Sequence, residues 1–316
     1  MQKQTIYKVG DHRFSIRCSS QGHLDELLPS FVPFVDEMKM SLREPLFDML
    51  LLDDADVPAS APALPIADAS LQASPESLSE TDMAFEWEDA QCVIRFLPGD
   101  NHEIHIKPHG SDYIFLLSCQ EHFSHCVTHL PADAPLHQRA FVLNNFLMMI
   151  YAFRAAEHDT LLFHASVVAY QGRGYLFLGK SGTGKSTHTN LWIKYIPGCS
   201  LLNDDNPVVR RLPSGEIIVY GSPWSGKTLC YKDEQMPVGA FVRLEQAPEN
   251  RIVRETAVHA FADLLPSCSC LKRDQRIYRG VIDTVTSLSR LSHVYLLRCL
   301  PDSEAAQLCC ETITDK

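Results

Sequence analysis

The segment Gly179–Thr187 constrains this chain more than any other, because it matches the complete phosphate-binding pattern G-x-x-x-x-G-K-[ST], the Walker A motif. An apolar run typical of a β-strand, Tyr175–Leu178, comes directly before it. Thr187–Ile196, directly after it, is typical of a helix that ends before Pro197. The motif requires strand, glycine loop and helix in this order, so the sequence predicts a P-loop that holds a polyphosphate.

Each part of this loop has a chemical task. Glycines allow backbone N–H groups to turn toward a ligand without Cβ clashes, and the helix N-terminus adds the positive end of its dipole. We expect Lys185 to reach the β- and γ-phosphates and the Ser186 hydroxyl to bind Mg²⁺. The residues expected to hold the nucleotide are Gly179, Ser181, Gly182, Thr183, Gly184, Lys185, Ser186 and Thr187.

The net charge of the chain limits the kinds of molecule that it can bind. Its 316 residues include 28 Lys and Arg and 39 Asp and Glu, which gives a net charge of −11. An acidic surface repels nucleic-acid backbones, so we expect no nucleic-acid partner, whereas a nucleotide needs only a local cationic loop. The longest apolar run, Phe146–Phe153, is too short to span a bilayer, so we expect no membrane association.

The cysteines bear on the cellular compartment. The chain has 11 of them, and no pair has C-x-x-C spacing. Cys268-x-Cys270 and the adjacent Cys309-Cys310 suit neither a zinc site nor a disulfide framework, so we expect reduced thiols. The N-terminal segment lacks an apolar signal core. We therefore expect a cytoplasmic protein, and we leave open whether it forms a homo-oligomer.

Residues 1–135 have the pattern of a β-rich or mixed α/β module. Residues 5–17 alternate and turn at Gly10-Asp11, and short β-type runs recur between residues 83 and 130. Between these regions, residues 55–82 contain no aromatic residue, Lys or Arg, which indicates a flexible linker. A solvated sheet face, with a metal site as the alternative, accounts for six histidines: His102, His105, His109, His122, His125 and His129.

Residues 136–316 predict a second domain around the P-loop. Leu136–Glu157 is typical of a helix that is apolar nearly all round in its C-terminal half, so we expect it to be buried. Leu161–Ala169 predicts one strand, joined by a tight turn to the strand before the P-loop. A parallel nucleotide-binding sheet would need a crossover helix at this point, so the tight turn indicates an unusual P-loop fold.

Two carboxylates follow the P-loop helix at the end of a short apolar run. They belong to Asp204 and Asp205. Carboxylate oxygens are ligands that Mg²⁺ prefers, and the Ser186 hydroxyl supplies a further oxygen. The sequence therefore predicts a metal site formed by Ser186, Asp204 and Asp205.

A second segment, Gly221–Thr228, also matches the P-loop pattern. Pro223 removes one N–H that a phosphate cradle uses, and no helix pattern follows, so we do not expect a second nucleotide site. We predict instead a substrate-facing loop that brings Trp224 and Lys227 near the transferred phosphate. An ordinary turn is the alternative.

These features together resemble a known family. His164-Ala165, the tight strand pair, Gly179–Thr187 and Asp204-Asp205 resemble the catalytic domain of HPr kinase/phosphorylase and, more distantly, ATP-dependent phosphoenolpyruvate carboxykinase. The resemblance covers about residues 136–316. It implies an α/β (α+β) protein with a P-loop domain of this type and a smaller β-rich N-terminal module. The signature Glu-(Ile/Met)-Arg-Gly-(Leu/Val)-Gly of true HPr kinases is absent, so HPr as substrate and phosphorylase activity are not implied.

The resemblance also implies roles for individual residues. His164 would lie near the γ-phosphate or the metal, with a core histidine as the alternative. One of Asp204 and Asp205 would be a general base toward a hydroxyl, and the other would bind Mg²⁺. Three arginines are candidates for neutralising charge in the transition state, and their spacing does not select among them: Arg243, Arg251 and Arg254.

We therefore expect a kinase that depends on Mg²⁺ and ATP and transfers the γ-phosphoryl group to a hydroxyl of a protein, a peptide or a small metabolite. Two alternatives stay open. One is a nucleotide-binding regulatory or accessory protein without catalysis. The other is a carboxykinase-like enzyme, which would need an arginine cluster for a small carboxylic acid and a second metal site. The residues expected to be catalytic are Asp204, Asp205, His164 and Lys185.

Overall fold

The structure is a computed structural model that describes residues 3–18, 21–37, 44–52, 54, 82–226 and 228–314. The predicted linker lies outside the described residues, apart from Asp82. The chain divides into two compact units, Met1–Lys8 with His12–Arg154 and Val9–Asp11 with Ala155–Lys316. This division falls inside a helix, and the expected domain boundary between residues 135 and 136 stays a prediction.

The first unit contains one mixed β-sheet. Within the described ranges its strands lie in the order β1-β2-β3-β8-β7-β6-β5-β4. Strands β4 to β8 form the expected antiparallel meander, whereas β3 lies parallel to both β2 and β8. The strands are β1 (Lys3–Val9), β2 (His12–Cys18), β3 (Asp48–Leu52), β4 (Met83–Glu86), β5 (Ala90–Leu97), β6 (Asn101–Pro108), β7 (Phe115–Gln120) and β8 (His125–His129).

Two α-helices and a 3₁₀ segment belong with this sheet. They are α1 (Gln21–Leu27), the 3₁₀ segment Pro29–Phe34 and α2 (Leu136–Ala156). The expectation that α2 is buried is confirmed, since Ile150 and Tyr151 are fully buried. The Tyr151 ring lies 6.2 Å from that of Phe14, which itself stacks on Phe47 at 4.8 Å. These aromatic contacts form part of the core of the first unit.

The histidines of the first unit do not all lie on a solvated face. That interpretation is wrong for His102, His105 and His122, which are each no more than 6% exposed. The ring of His102 stacks on Phe123 with 4.1 Å between centroids, and burial lowers the pKa of His105 below its usual value. Among the described residues no group of three or more His, Cys, Asp or Glu is placed to hold a metal ion.

The second unit contains a nine-stranded sheet. The described strands follow the order β12-β10-β11-β15-β14-β13-β9, and β17 pairs with both β15 and β16. The strands are β9 (Thr160–Leu162), β10 (Ala165–Tyr170), β11 (Arg173–Leu178), β12 (Ser200–Asp205), β13 (Val208–Arg211), β14 (Ile217–Tyr220), β15 (Gln235–Gln246), β16 (Arg251–Arg254) and β17 (Val294–Cys299). The helices are α3 (Lys185–Tyr195), α4 (Ala257–Leu264), α5 (Gln275–Leu291) and α6 (Ser303–Thr314).

Both parallel and antiparallel pairs occur in this sheet. Strands β11, β15 and β17 run parallel, and β10 pairs antiparallel with β11 and β12. The tight turn expected before the P-loop is therefore confirmed. The carboxyl ends of β11, β15 and β17 meet at one edge, where ligands bind in open α/β sheets. The chain is thus a mixed α/β protein. None of the helices in the described ranges combines the length and the hydrophobicity that a membrane span requires.

The expected single strand over residues 161–169 is wrong, because the chain changes partners in the middle of it. Strand β9 pairs with β13, whereas β10 pairs with β11 and β12. Between them the Phe163 N–H donates to the Pro207 carbonyl and the His164 N–H to the Ser267 carbonyl. This interruption leaves the His164 side chain 45% exposed instead of in the core.

The P-loop helix α3 is anchored by Trp192. This side chain is fully buried, and its ring lies 5.5 Å from those of both Tyr175 and Phe177 on β11. Cys309 and Ile313 of α6 belong to the same apolar cluster. The strand before the P-loop and the helix after it are therefore held by one core.

We expect Trp192→Ala to lower the free energy of unfolding by about 3–5 kcal/mol, because it removes the largest side chain of this cluster and leaves a cavity. Ile193→Ala is the matched control on the same helix, since Ile193 is 38% exposed. The control should cost about 1 kcal/mol or less. Urea denaturation followed by circular dichroism measures both, and equal losses would contradict this account of the core.

Candidate functional site

Three strands bring the predicted site residues to one edge of the sheet. Ala165 on β10 lies opposite Leu178 on β11 and opposite Asp205 on β12. His164 directly precedes Ala165, and Gly179 directly follows Leu178. Residues from three separate sequence segments therefore lie in one row across the strands.

The Thr183 side chain packs closely against the first glycine of the P-loop, Gly179. A Cβ atom on Gly179 would lie 2.5 Å from the Thr183 hydroxyl oxygen, and that hydroxyl donates to the Lys180 carbonyl at 2.8 Å. Gly184, the residue before α3, has a φ of 100°, in the left-handed region that favours glycine. Helix α3 therefore begins directly after this glycine, and the N–H groups of its first turn lie at the loop, as phosphate binding requires.

Lys185 lies at the centre of the site. Its ammonium is 2.9 Å from the Gly179 carbonyl oxygen and 2.9 Å from His164 Nε2. Burial lowers the pKa of Lys185 below its usual value, and the carboxylates of Asp205 and Asp204 offset part of that shift. The lysine is thus a half-buried cation beside two anions.

His164 joins the lysine to the acidic pair. Its Nε2 faces the Lys185 ammonium at 2.9 Å, and its Nδ1 lies 2.8 Å from Asp205 Oδ1. Because an ammonium group only donates hydrogen bonds, Nε2 is the acceptor in the contact with Lys185. His164 therefore lies between a cation and a carboxylate and contacts both.

The two aspartates have different surroundings. Asp204 is 5% exposed, and its Oδ1 accepts a hydrogen bond from the Ser186 hydroxyl at 2.9 Å. The Asp205 side chain is 34% exposed; its Oδ1 lies 2.8 Å from His164 Nδ1, and its Oδ2 accepts a hydrogen bond from Asn206 Nδ2 at 2.7 Å. Asp205 also has a φ of 128°, a strained conformation for a residue other than glycine. Asp204 is thus the inner carboxylate and Asp205 the outer one.

The oxygens of Ser186 and Asp204 suit a hard cation such as Mg²⁺, which takes oxygen ligands. No cluster of three His, Cys, Asp or Glu side chains was found at this site or elsewhere in the described ranges. Mg²⁺ commonly binds through one or two carboxylates together with substrate phosphates and water. The donor set therefore fits a cation that binds together with a nucleotide.

The second glycine loop lies against the acidic pair. Ser225 forms a β-bridge with Asp205 and donates from its hydroxyl to the Asp204 carbonyl at 3.1 Å. The Gly226 N–H donates to the same carbonyl, and a Cβ atom on Gly226 would lie 3.1 Å from that of Asp205. Trp224 is only 2% exposed, so its buried side chain anchors the loop. Lys227 lies outside the described residues, and the substrate role of both stays a prediction.

Asn203 is a site-supporting residue that the sequence reasoning missed. It is fully buried, and its Nδ2 donates to Ser222 Oγ at 3.2 Å and to the Trp224 carbonyl at 3.1 Å. Its Oδ1 accepts from the Asn206 N–H at 3.0 Å. One amide therefore fixes both the turn after the acidic pair and the second glycine loop. An asparagine inside a β-type run was the available signal.

Two cavities meet at the P-loop. The first has a volume of about 580 Å³ and extends along the start of α3, where no charged side chain lines it. The second, of about 700 Å³, is lined by His164, the first residues of the P-loop and three further charged groups: Arg243, Glu245 and Asp263. We refer to them as the neutral cavity and the charged cavity. Both have the size of small-molecule sites.

His188 lies in the wall of the neutral cavity and is itself 3% exposed. Its Nε2 accepts a hydrogen bond from the Trp192 indole N–H at 3.1 Å. Burial lowers the pKa of His188 to about 4, because the charged imidazolium loses its hydration. The residue is therefore neutral at pH 7, and the cavity carries no charge from it.

Comparisons with known proteins add little to this geometry. No family model matches the chain, and no curated protein matches it. Among solved structures, the chain is similar to the Hpr(Ser) kinase/phosphatase from Coxiella burnetii, with 15% identity, 48% of this chain and 87% of that chain covered, and a TM-score of 0.29. Similarity at this level assigns no function, so the chemistry of the site rests on its own residues.

We expect the buried His188 to make the protein less stable in acid. Its pKa is about 4 in the folded chain, against about 6.5 for an unfolded histidine. The unfolded chain therefore binds this proton first, so the contribution of His188 to the free energy of unfolding is complete above about pH 6.5 and is lost as the pH falls toward about 4. Between pH 7 and 4.5 the loss is about 2–3 kcal/mol. His188→Gln removes the titration, so urea denaturation should show a smaller loss for the variant; equal losses would contradict this assignment.

Proposed function

We propose that this chain is an ATP-dependent phosphotransferase that uses Mg²⁺ and moves the γ-phosphoryl group to a hydroxyl acceptor. The observation that carries the proposal is the convergence of the P-loop with a histidine and two carboxylates in different surroundings at one edge of the sheet. Its members are Lys185, Ser186, His164, Asp204 and Asp205. The same combination of motifs resembles the catalytic domain of HPr kinase. The acceptor of this chain would be a protein, a peptide or a small metabolite.

The two cavities support a direction for the nucleotide. The neutral cavity adjoins Thr187 and the first turns of α3, and its apolar side chains suit the flat faces of a nucleobase. The charged cavity adjoins Gly179 and His164, on the side of the Lys185 ammonium. A nucleotide would therefore place its base in the neutral cavity and its γ-phosphate toward the charged cavity.

The different surroundings of the aspartates support different roles. Asp204 is buried beside the Ser186 hydroxyl, so this pair would hold Mg²⁺, and the cation would neutralise charge on the β- and γ-phosphates. Asp205 is partly exposed, with its Oδ1 2.8 Å from His164 Nδ1, so it would accept the proton of the acceptor hydroxyl. The acceptor oxygen then forms a bond to the γ-phosphorus, the bond to the leaving oxygen breaks, and ADP departs.

The alternatives make different demands on the site. A carboxykinase-like enzyme needs several arginines around a small carboxylic acid, whereas the described lining of the charged cavity includes a single arginine, Arg243. A nucleotide-binding regulator needs the P-loop but does not need a base. Variants that separate binding from turnover therefore distinguish a regulator from an enzyme.

We expect Lys185→Ala to raise the Kd for Mg²⁺–ATP by at least about tenfold, because it removes the cation that faces the phosphates. Asp205→Asn should keep that Kd within about threefold but lower turnover by about 10²–10⁴-fold, because the amide cannot accept the proton. Lys194→Ala, an exposed lysine on the same helix, is the matched control for charge. Calorimetric titration measures binding, and release of ADP measures turnover.

Full turnover in both Asp204→Asn and Asp205→Asn would exclude the proposed mechanism. If these variants and the unmodified chain bind ATP equally and none turns it over, the chain is a nucleotide-binding regulator. If Lys194→Ala raises the Kd for Mg²⁺–ATP as much as Lys185→Ala does, the loss of affinity comes from the lower positive charge of the helix and not from the P-loop lysine.

A further inference from the structure

The structure separates the three arginines that the sequence left equivalent. Arg251 and Arg254 are exposed residues of β16, which pairs only with β17 within the described sheet. Arg243 instead lines the charged cavity together with the first five residues of the P-loop. One arginine of the three is therefore placed beside the expected γ-phosphate.

The strand position of Arg243 explains this placement. It lies on β15 directly opposite Leu178, the residue before the P-loop, and opposite Leu296 on β17. Its neighbours Val242 and Leu244 belong to the apolar cluster of Trp192. Because side chains alternate along a strand, Arg243 points to the other face of the sheet, where the cavity lies.

A buried carboxylate holds this arginine. Asp263 of α4 is 8% exposed, and its Oδ1 accepts a hydrogen bond from Arg243 Nη1 at 2.8 Å, while the arginine side chain stays 43% exposed. A guanidinium has five N–H donors, and this contact uses one of them. Holding the side chain in advance reduces the entropy lost when it binds a ligand. The pair thus presents an oriented cation to the cavity.

We propose that Arg243, positioned by Asp263, binds an oxyanion in the charged cavity, and that this oxyanion is the terminal phosphoryl group of the nucleotide. The inference rests on the proposed function and adds a specific residue to it. A planar guanidinium matches the paired oxygens of a phosphoryl group, and it would add a second cation to that of Lys185. A carboxylate on the acceptor is the other source of an oxyanion, and the test below distinguishes the two.

The cavity wall favours the phosphoryl group as the source. Its residues include the first five of the P-loop and His164, whose Nε2 accepts from Lys185. The first five residues of the P-loop therefore line the same space as Arg243, and Lys185 contacts that space through His164. During transfer the negative charge spreads over three phosphoryl oxygens, which requires cations on more than one side.

The test compares ATP with ADP, because the two differ only in the terminal phosphoryl group. Calorimetric titrations in Mg²⁺ buffer measure both Kd values for the unmodified chain and for Arg243→Met. We expect the variant to raise the Kd for ATP by about 10- to 100-fold and to leave that for ADP within about twofold. Asp263→Asn should cause a smaller loss in the same direction, since the arginine is retained but no longer held.

The matched control is Arg298→Met. Arg298 lies on the neighbouring strand, opposite Glu245, and forms an exposed pair with it at 3.5 Å. It should leave the Kd values for ATP and ADP unchanged. Arg243→Lys keeps the charge beside Asp263 but not the planar group, so it should lose part of the preference for ATP; it also serves if Arg243→Met does not fold.

The outcomes separate this inference from the proposed function. If the unmodified chain binds neither nucleotide, the proposed function fails. If it binds both and the Arg243 variants keep the original ratio of the two Kd values, the inference is overturned, and an oxyanion of the acceptor becomes the remaining source. An equal loss of ATP and ADP binding also overturns it, because the residue would then support the fold and not the phosphoryl group.

Discussion

The two polar contacts of the His164 ring are the interaction on which the candidate site depends. They connect the P-loop lysine at 2.9 Å with the outer carboxylate, Asp205, at 2.8 Å. This connection exists because the chain leaves β9 before His164 and enters β10 after it, which frees the side chain from the sheet. The pairing of β10 with both β11 and β12 then places the P-loop and the acidic pair on either side of the histidine.

The energetic logic of the site follows from this arrangement. The half-buried ammonium of Lys185 attracts the carboxylates of Asp205 and Asp204, and the His164 ring lies between Lys185 and Asp205. Asn203 fixes the turn behind the acidic pair, and Trp192 fixes the helix that follows the loop. The site therefore lies on strands and a helix held by a common core, which gives the rigidity that the proposed phosphoryl transfer would need.

Much of this could be predicted from local sequence. The P-loop, the hairpin before it, the strands of the first unit and helix α2 follow from glycine spacing and apolar periodicity, which are short-range signals. The break at Phe163-His164, the network of Asn203 and the burial of His102 and His122 could not be predicted, because each depends on residues distant in the chain. Arg243 could be identified from the sequence as one of three candidate arginines, but it could not be preferred over the others. Its position depends on the pairing of its strand with Leu178, which is distant in the chain.

The most direct test of the central claim is transfer of label from γ-labelled ATP into a desalted extract of the native host, separated into protein and small-molecule fractions. Lys185→Ala provides the blank. The account predicts label in one fraction, dependent on Lys185, and the labelled species identifies the acceptor as a protein, a peptide or a metabolite. No label above the blank in either fraction, with ATP binding intact, would contradict a phosphotransferase and leave a protein that binds nucleotide without transferring phosphate.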